Sequence, residues 1–466
     1  MKKLRKLLRT KAGTLTLFEK LWLAAPIFIW FSFQPLIRIG QNETMYFELS
    51  IALIYVVVLA LAGVLSIWRQ RATLLKSRAA LIAVCFVVLM ALSLLWTPNL
   101  TRGVLTLGVA GLLLFILLAS IARADTLRQL VPTITRIFFI SAVVVAILAI
   151  VQLIAGMWLD QEAALLCAGC VAEQFGFVRP NVFTIEPQFL GSMLIAPALV
   201  GVWLLLKDKL SLVAASGLLL ITTALFLTLS RGAIFAFLIG ALILFIATRT
   251  KAAQYLRAAG LIVAGFAMCL VLQGVAAASH PTIDETFAGA VSKSVDQLSL
   301  GVIDIPVDQP TPQPAAPAPE VPNYDGYVEE STNVRLNLSA MALTVWSSDP
   351  LRVLFGVGLG GAGIALNDAF PGEIGQREIV QSEYLSLLLE VGLIGLGLFM
   401  ALLGVLLYRL GRNGAWLGVA VIAASIIQWN FFSGYPNALH IYLTLILLAV
   451  CATTARRGRL VPATQY

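Results

Sequence analysis

Twelve apolar stretches of about twenty residues each run through the sequence, at roughly 21–37, 47–68, 79–95, 103–122, 134–157, 189–206, 211–229, 232–248, 258–278, 385–408, 415–432 and 436–454. A stretch of that length crosses hydrocarbon only as a helix, because each backbone N–H and C=O must find its partner within the segment. The pattern predicts an all-α fold, a polytopic membrane bundle of about twelve transmembrane helices. Composition agrees. Of the 466 residues, 59% are hydrophobic and 12% charged, against roughly 45–50% and about 25% in soluble globular chains. Soluble enzymes, nucleic-acid binders and disordered scaffolds are excluded. The first stretch lacks a small-residue cleavage site and reads as an uncleaved anchor.

The net charge of +8 follows the loops. If the Lys- and Arg-rich start of the chain (Lys2 to Lys11) is cytoplasmic, alternate loops collect 24 of the 32 Lys and Arg residues on that side, with only Glu19, Asp125 and Asp208 against them. This is the positive-inside bias. Both termini are expected in the cytoplasm of a cell whose plasma membrane the chain spans, and the positive charge is a topology signal with no call on nucleic acid.

The predicted organisation is a membrane bundle over 1–278, a large external loop over 279–384, and three further spans with a cytoplasmic tail over 385–466. Within the loop, the Pro-rich run 305–322 reads as an extended spacer. From about 331 to 348, Val334, Leu338, Met341, Ala342 and Val345 recur at helical spacing and predict an amphipathic helix that ends before Pro350. LFGVGLGGAG (Leu354 to Gly363) then reads as a Gly-rich turn. Cys167 and Cys170 form a C-x-x-C in an external loop, suited to a disulfide or to inert thiols. No second pair or nearby His completes a zinc site, and no metal or cofactor is expected.

Eight basic residues remain for the outer side, among them Arg179, Arg231, Arg335 and Arg352. A guanidinium close to membrane level faces the bundle interior or a wet cavity. Several of them converging suit a phosphate or diphosphate, which Arg grips in bidentate fashion. The alternative is pairing with external acids or snorkelling to headgroups. Among carboxylates, Glu186 stands at the mouth of the sixth stretch. Glu383 opens the tenth, and Glu390 lies two helical turns further on. A carboxylate beside a sugar hydroxyl can serve as general base; an N-terminal helix acid, or an interhelical hydrogen bond at Glu390, is the structural alternative. His280 and His440 adjoin no metal-type set, and no P-loop or dinucleotide fingerprint is present.

Four pieces carry a resemblance: LTLSRGAIFAFLIG (Leu227 to Gly240), NVRLNLSAMALTVWSSDPLRVLFGVGLG (Asn333 to Gly360), VQSEYLSLLLEVGLIGLGLF (Val380 to Phe399) and, more weakly, RPNVFTIEPQFLGSML (Arg179 to Leu194). Together they resemble the O-antigen ligase/polymerase family, bacterial membrane proteins that move glycans from a polyprenyl diphosphate carrier to an acceptor. The resemblance implies a metal-independent, inverting glycosyltransferase working on the outer face of the plasma membrane. An undecaprenyl diphosphate-linked oligosaccharide would be donor and a glycan the acceptor. Arg231 and Arg335 would hold the diphosphate, assisted by Arg179 or Arg352, and Glu383 or Glu186 would take the acceptor proton. The family's ligases carry a histidine where Gln381 stands, and an asparagine at Ser382. Glutamine cannot act as a base near neutral pH, which favours a polymerase of O-antigen, exopolysaccharide or capsule units over the lipid A–core ligase. A transporter or flippase is the alternative of a different class, since twelve spans with both ends inside also suit carriers.

Overall fold

The computed structural model describes residues 15–34, 36–39, 47–69, 74, 77–158, 172–174, 177–207, 212–279, 292, 327–375, 380–434 and 438–453. Cys167, Cys170, His280 and the Pro-rich run lie outside them. A helix occupies each of the twelve apolar stretches. In chain order these are α1 Leu17–Phe28, α2 Ile51–Arg69, α3 Arg78–Ser93, α4 Leu100–Ala122, α5 Ala124–Trp158, α6 Pro187–Leu206, α7 Leu212–Leu227, α8 Arg231–Ala247 and α9 Ala252–Ser279. The outer-layer helices α10 Tyr327–Ser347, α11 Pro350–Phe355 and α12 Ala362–Ala369 follow, and α13 Glu383–Arg412, α14 Trp416–Gln428 and α15 Leu439–Ala452 complete the set. Five of them, α4, α5, α6, α9 and α13, are long and apolar enough to cross a membrane; six more are shorter apolar helices. With their lipid-type exterior, they form an integral membrane protein.

Two short ladders accompany the helices. Leu36–Ile39 pairs antiparallel with Phe47–Ser50, and Ala172–Gln174 with Phe177–Arg179. We name these strands β1 to β4. The first ladder takes residues that hydropathy alone assigns to the ends of two spans; hydropathy reports burial and is blind to the local pairing of β-branched and aromatic residues. The start of α5 is also longer than expected, running from Ala124 through Pro132.

The helices close into a ring. Around it α7 packs on α6, α6 on α8, α8 on α14, α14 on α13, α13 on α3, α3 on α4, α4 on α2, α2 on α1 and α1 on α5, which returns to α7. Inside, α15 touches α4, α5, α13 and α14. Helices that are apolar all round are buried all round, and α6 is the clearest case: Leu190 to Ile195 and Pro197 to Val202 are all buried. Elsewhere one face meets lipid, as at Leu61, Val88, Val144, Leu242 and Val263.

A second, smaller core lies apart from the main one. Leu338, Ala342 and Val345 of α10 are buried against Val357, Leu366, Val380 and Leu389, the face predicted from their spacing. This layer sits on the first half of α13, which is broken at Gly392 (φ 66°, ψ −170°). The Gly-rich turn fills the break: Val357 and Gly358 N–H donate to the freed carbonyls of Leu389 and Glu390 at 2.8 and 3.0 Å. A Cβ at Gly392 would lie 2.3 Å from the Leu354 carbonyl oxygen, so the backbone approach and the positive φ both require glycine. The sequence pattern reads α13 as continuous; the positive φ at Gly392 and the contact with the turn mark the break.

Candidate functional site

The N-terminal ends of α6 and α8 lie close to the middle of α10, and the sequence prepares each of them. Between β4 and α6 the connection RPNVFTIEP is pinned. Gln152 of α5 accepts from Asn181 and Val182 N–H at 3.0 and 2.8 Å, and donates to Asn181 Oδ1 at 2.6 Å. Thr184 Oγ1 donates to the Asn181 and Glu186 carbonyls. Pro187 opens α6, where its missing N–H is harmless. The exposed Glu186 carboxylate is thereby held at the mouth of a buried helix, with Gln188 Nε2 donating to it.

The turn into α8 is strained and braced. Leu229 has φ 48° and is buried, a backbone region that costs a side chain of this size about 1–3 kcal/mol. Arg179 answers it with a fork: Nε and Nη2 donate to the Thr228 carbonyl at 2.9 and 2.7 Å. Arg231 is the next residue after this turn's Ser230, in the first turn of α8 and half-buried.

Arg335 arrives from α10. Its Nη2 donates to Gln188 Oε1 at 3.3 Å, and the side chain is half-buried. Burial lowers its proton affinity below the ordinary arginine range; the nearby Arg231 charge lowers it further, and Glu186 acts in the opposite sense. Two half-buried guanidiniums and one exposed carboxylate therefore lie within electrostatic reach of one another. Like charges brought together this way favour an added anion, and two planar forks can grip a diphosphate in bidentate fashion.

Residues 216–400 match the family model described as O-antigen ligase. The matched segment is similar to an O-antigen ligase domain. It runs from α7 through the break in α13, and so includes Arg231, Arg335 and the Gly-rich turn. No curated protein matches the chain.

The other expected site residues are placed differently. Glu383 begins α13 with no exposed surface. Its carboxylate accepts from Tyr442 Oη at 2.6 Å, Gly434 N–H at 2.9 Å and Ser433 Oγ at 3.4 Å, while its own N–H donates to the Trp429 carbonyl. It ties α13 to α15 and to the connection after α14. Arg352 lies apart on α11, exposed, donating to Ser348 Oγ at 3.1 Å. Glu390 faces Arg102 and accepts from the Gly360 and Ala362 N–H groups, so it serves the Gly-rich turn. Gln381 is half-buried, and its Oε1 has no hydrogen-bond partner among the described residues.

Sequence reasoning passed over Gln188, Gln152 and Tyr442. Gln188 and Gln152 are polar groups within or beside apolar helices, which is itself a signal that they bind something nearby. Nothing local identifies Tyr442 as the partner of Glu383, because the pair joins two helices.

Proposed function

We propose that this chain is a glycosyltransferase of about twelve spans, both termini cytoplasmic, that uses a polyprenyl diphosphate-linked saccharide on the outer face of the plasma membrane. The reading rests on one observation above the rest: Arg335, from within the large loop, lies in electrostatic reach of Arg231 at the start of α8 and of the exposed Glu186. Negative charge grows on the diphosphate as the anomeric C–O bond breaks. Positioned guanidiniums stabilise it there more than in the ground state, which lowers the barrier. They supply the charge without recourse to a metal. The acceptor hydroxyl attacks the face opposite the leaving diphosphate and inverts the anomeric carbon.

Of the two carboxylates, Glu186 is the one open to an acceptor, and we assign it proton removal. Glu383, enclosed by three donors, holds the α14–α15 connection in place. Arg179 supports Arg231 through the Thr228 carbonyl. Gln381 in place of a base favours polymerisation of O-antigen, exopolysaccharide or capsule repeat units over ligation to lipid A–core or protein.

The size distribution of envelope and carrier-linked glycans in a deletion strain tests this. A polymerase predicts loss of long chains with single repeat units still transferred. Full-length polymer stranded on its carrier would mean ligase. Repeat units trapped on the cytoplasmic leaflet would mean a transporter and end the enzyme reading.

A further inference from the structure

A groove of about 740 Å³ opens in the outer layer, walled by Trp96 and Pro98 after α3 on one side and by Leu351, Arg352 and Phe355 of α11 on the other, with Asp368 of α12 at its edge. Its size falls in the range of small-molecule sites, roughly 300–1,000 Å³. We infer that this groove is a saccharide-binding subsite. The inference builds on the glycan-transfer reading and gives the sugar portion of a substrate its own place, separate from the diphosphate.

The lining carries the argument. Trp96 keeps 42% of its surface exposed, and Phe355 meets it edge to face at 6.1 Å and 73°. The indole is thus fixed by a neighbour while part of its surface stays open to the groove. A pyranose has an apolar C–H face bordered by hydroxyls. An aromatic surface meets that face, while a carboxylate accepts from hydroxyls and a guanidinium donates to them. Asp368 and Arg352 supply both, and both are exposed. A hydrocarbon tail would use the aromatic wall but leave two charges unanswered.

The floor is rigid. Gly356 packs against the Glu390 backbone in the break of α13. Next to it, Thr97 Oγ1 donates to the Leu359 carbonyl at 2.8 Å, and Leu359 N–H donates to Ser93 Oγ at 3.2 Å. A preformed groove binds with little ordering loss. Position fits too. Trp346, whose Nε1 donates to the Val353 carbonyl of α11, lies eleven residues along α10 from Arg335, or about 16 Å at 1.5 Å per residue. That separation is a few sugar units, so one extended ligand can place its diphosphate at the arginine pair and its distal sugars in the groove.

The test uses the full chain in lipid nanodiscs. The probe is oligosaccharide released by mild acid from the carrier-linked pool of the deletion strain. Binding is read by saturation-transfer NMR and by titration. Wild type is expected to bind, and Trp96→Ala, Arg352→Gln and Asp368→Asn each to weaken binding about tenfold, whereas Arg231→Gln and Arg335→Gln leave binding of this diphosphate-free probe unchanged. If Trp96→Ala fails to accumulate, the two exposed polar variants still decide. Undiminished binding in those two overturns the subsite, as does absence of binding by wild type. Binding lost only in the arginine variants also overturns it, yet leaves the arginine pair as the glycan site. Normal product from the arginine variants, with groove-dependent binding intact, would instead overturn the diphosphate reading and keep the subsite.

Discussion

The arginine pair and the junction at the break in α13 both bring charge to the ends or breaks of apolar helices, and they treat it in opposite ways. At the junction, the Glu390 carboxylate feels the Arg102 charge and two backbone N–H groups, and the Leu389 and Glu390 carbonyls each receive a donor from the Gly-rich turn. Opposite charges and complementary dipoles are matched inside the protein. At the mouth of α6, two guanidiniums crowd each other, with Glu186 offsetting them. Matched charge builds architecture, since a satisfied buried group is costly to break and gains nothing from a ligand. Two cations beside one carboxylate, set on strained and braced backbone, suit an anion that arrives.

That contrast can be broken by substitution. The largest effect is expected at the pair: Arg231→Gln or Arg335→Gln should reduce glycan transfer about 100- to 1,000-fold, with membrane accumulation and melting temperature close to wild type. Near-normal product chain length from both variants would remove the distinction drawn here. Glu186→Gln should lower transfer about 100-fold without changing donor affinity, measured as a split between kcat and KM. Glu383→Gln should act through stability, lowering the melting temperature. If Glu383→Gln is fully stable yet inactive and Glu186→Gln is active, the proton acceptor is Glu383.

At the junction the order reverses. Gly392→Ala forces a Cβ to within 2.3 Å of the Leu354 carbonyl oxygen at a positive φ, and should destabilise the protein by about 3 kcal/mol, visible as lost yield and a lowered thermal transition in detergent. Glu390→Gln keeps the shape but weakens the bonds to Gly360 and Ala362 N–H, for about 1–2 kcal/mol. Any activity lost should track the folded fraction. An inactive but thermally normal Glu390→Gln would move Glu390 from architecture to chemistry.

Hydropathy by itself determined the twelve helical segments, because an apolar stretch in lipid has only one way to satisfy its backbone. The spacing of Leu338, Ala342 and Val345 determined which face of α10 is buried, and glycines at 356, 358 and 360 announced the turn. Arg231 and Arg335 were legible as unusual outer cations, but their meeting was not, since it depends on how α10 folds back over α6 and α8. Tertiary structure alone decided that Arg179 spends its fork on the Thr228 carbonyl, that Glu383 is enclosed while Glu186 stands open, and that α13 breaks to receive the turn. The reason is common to all three. Local pattern records what each residue prefers to face, water, lipid or protein, whereas a partner distant in the chain is chosen by packing, and a charge has no function until its neighbours are known.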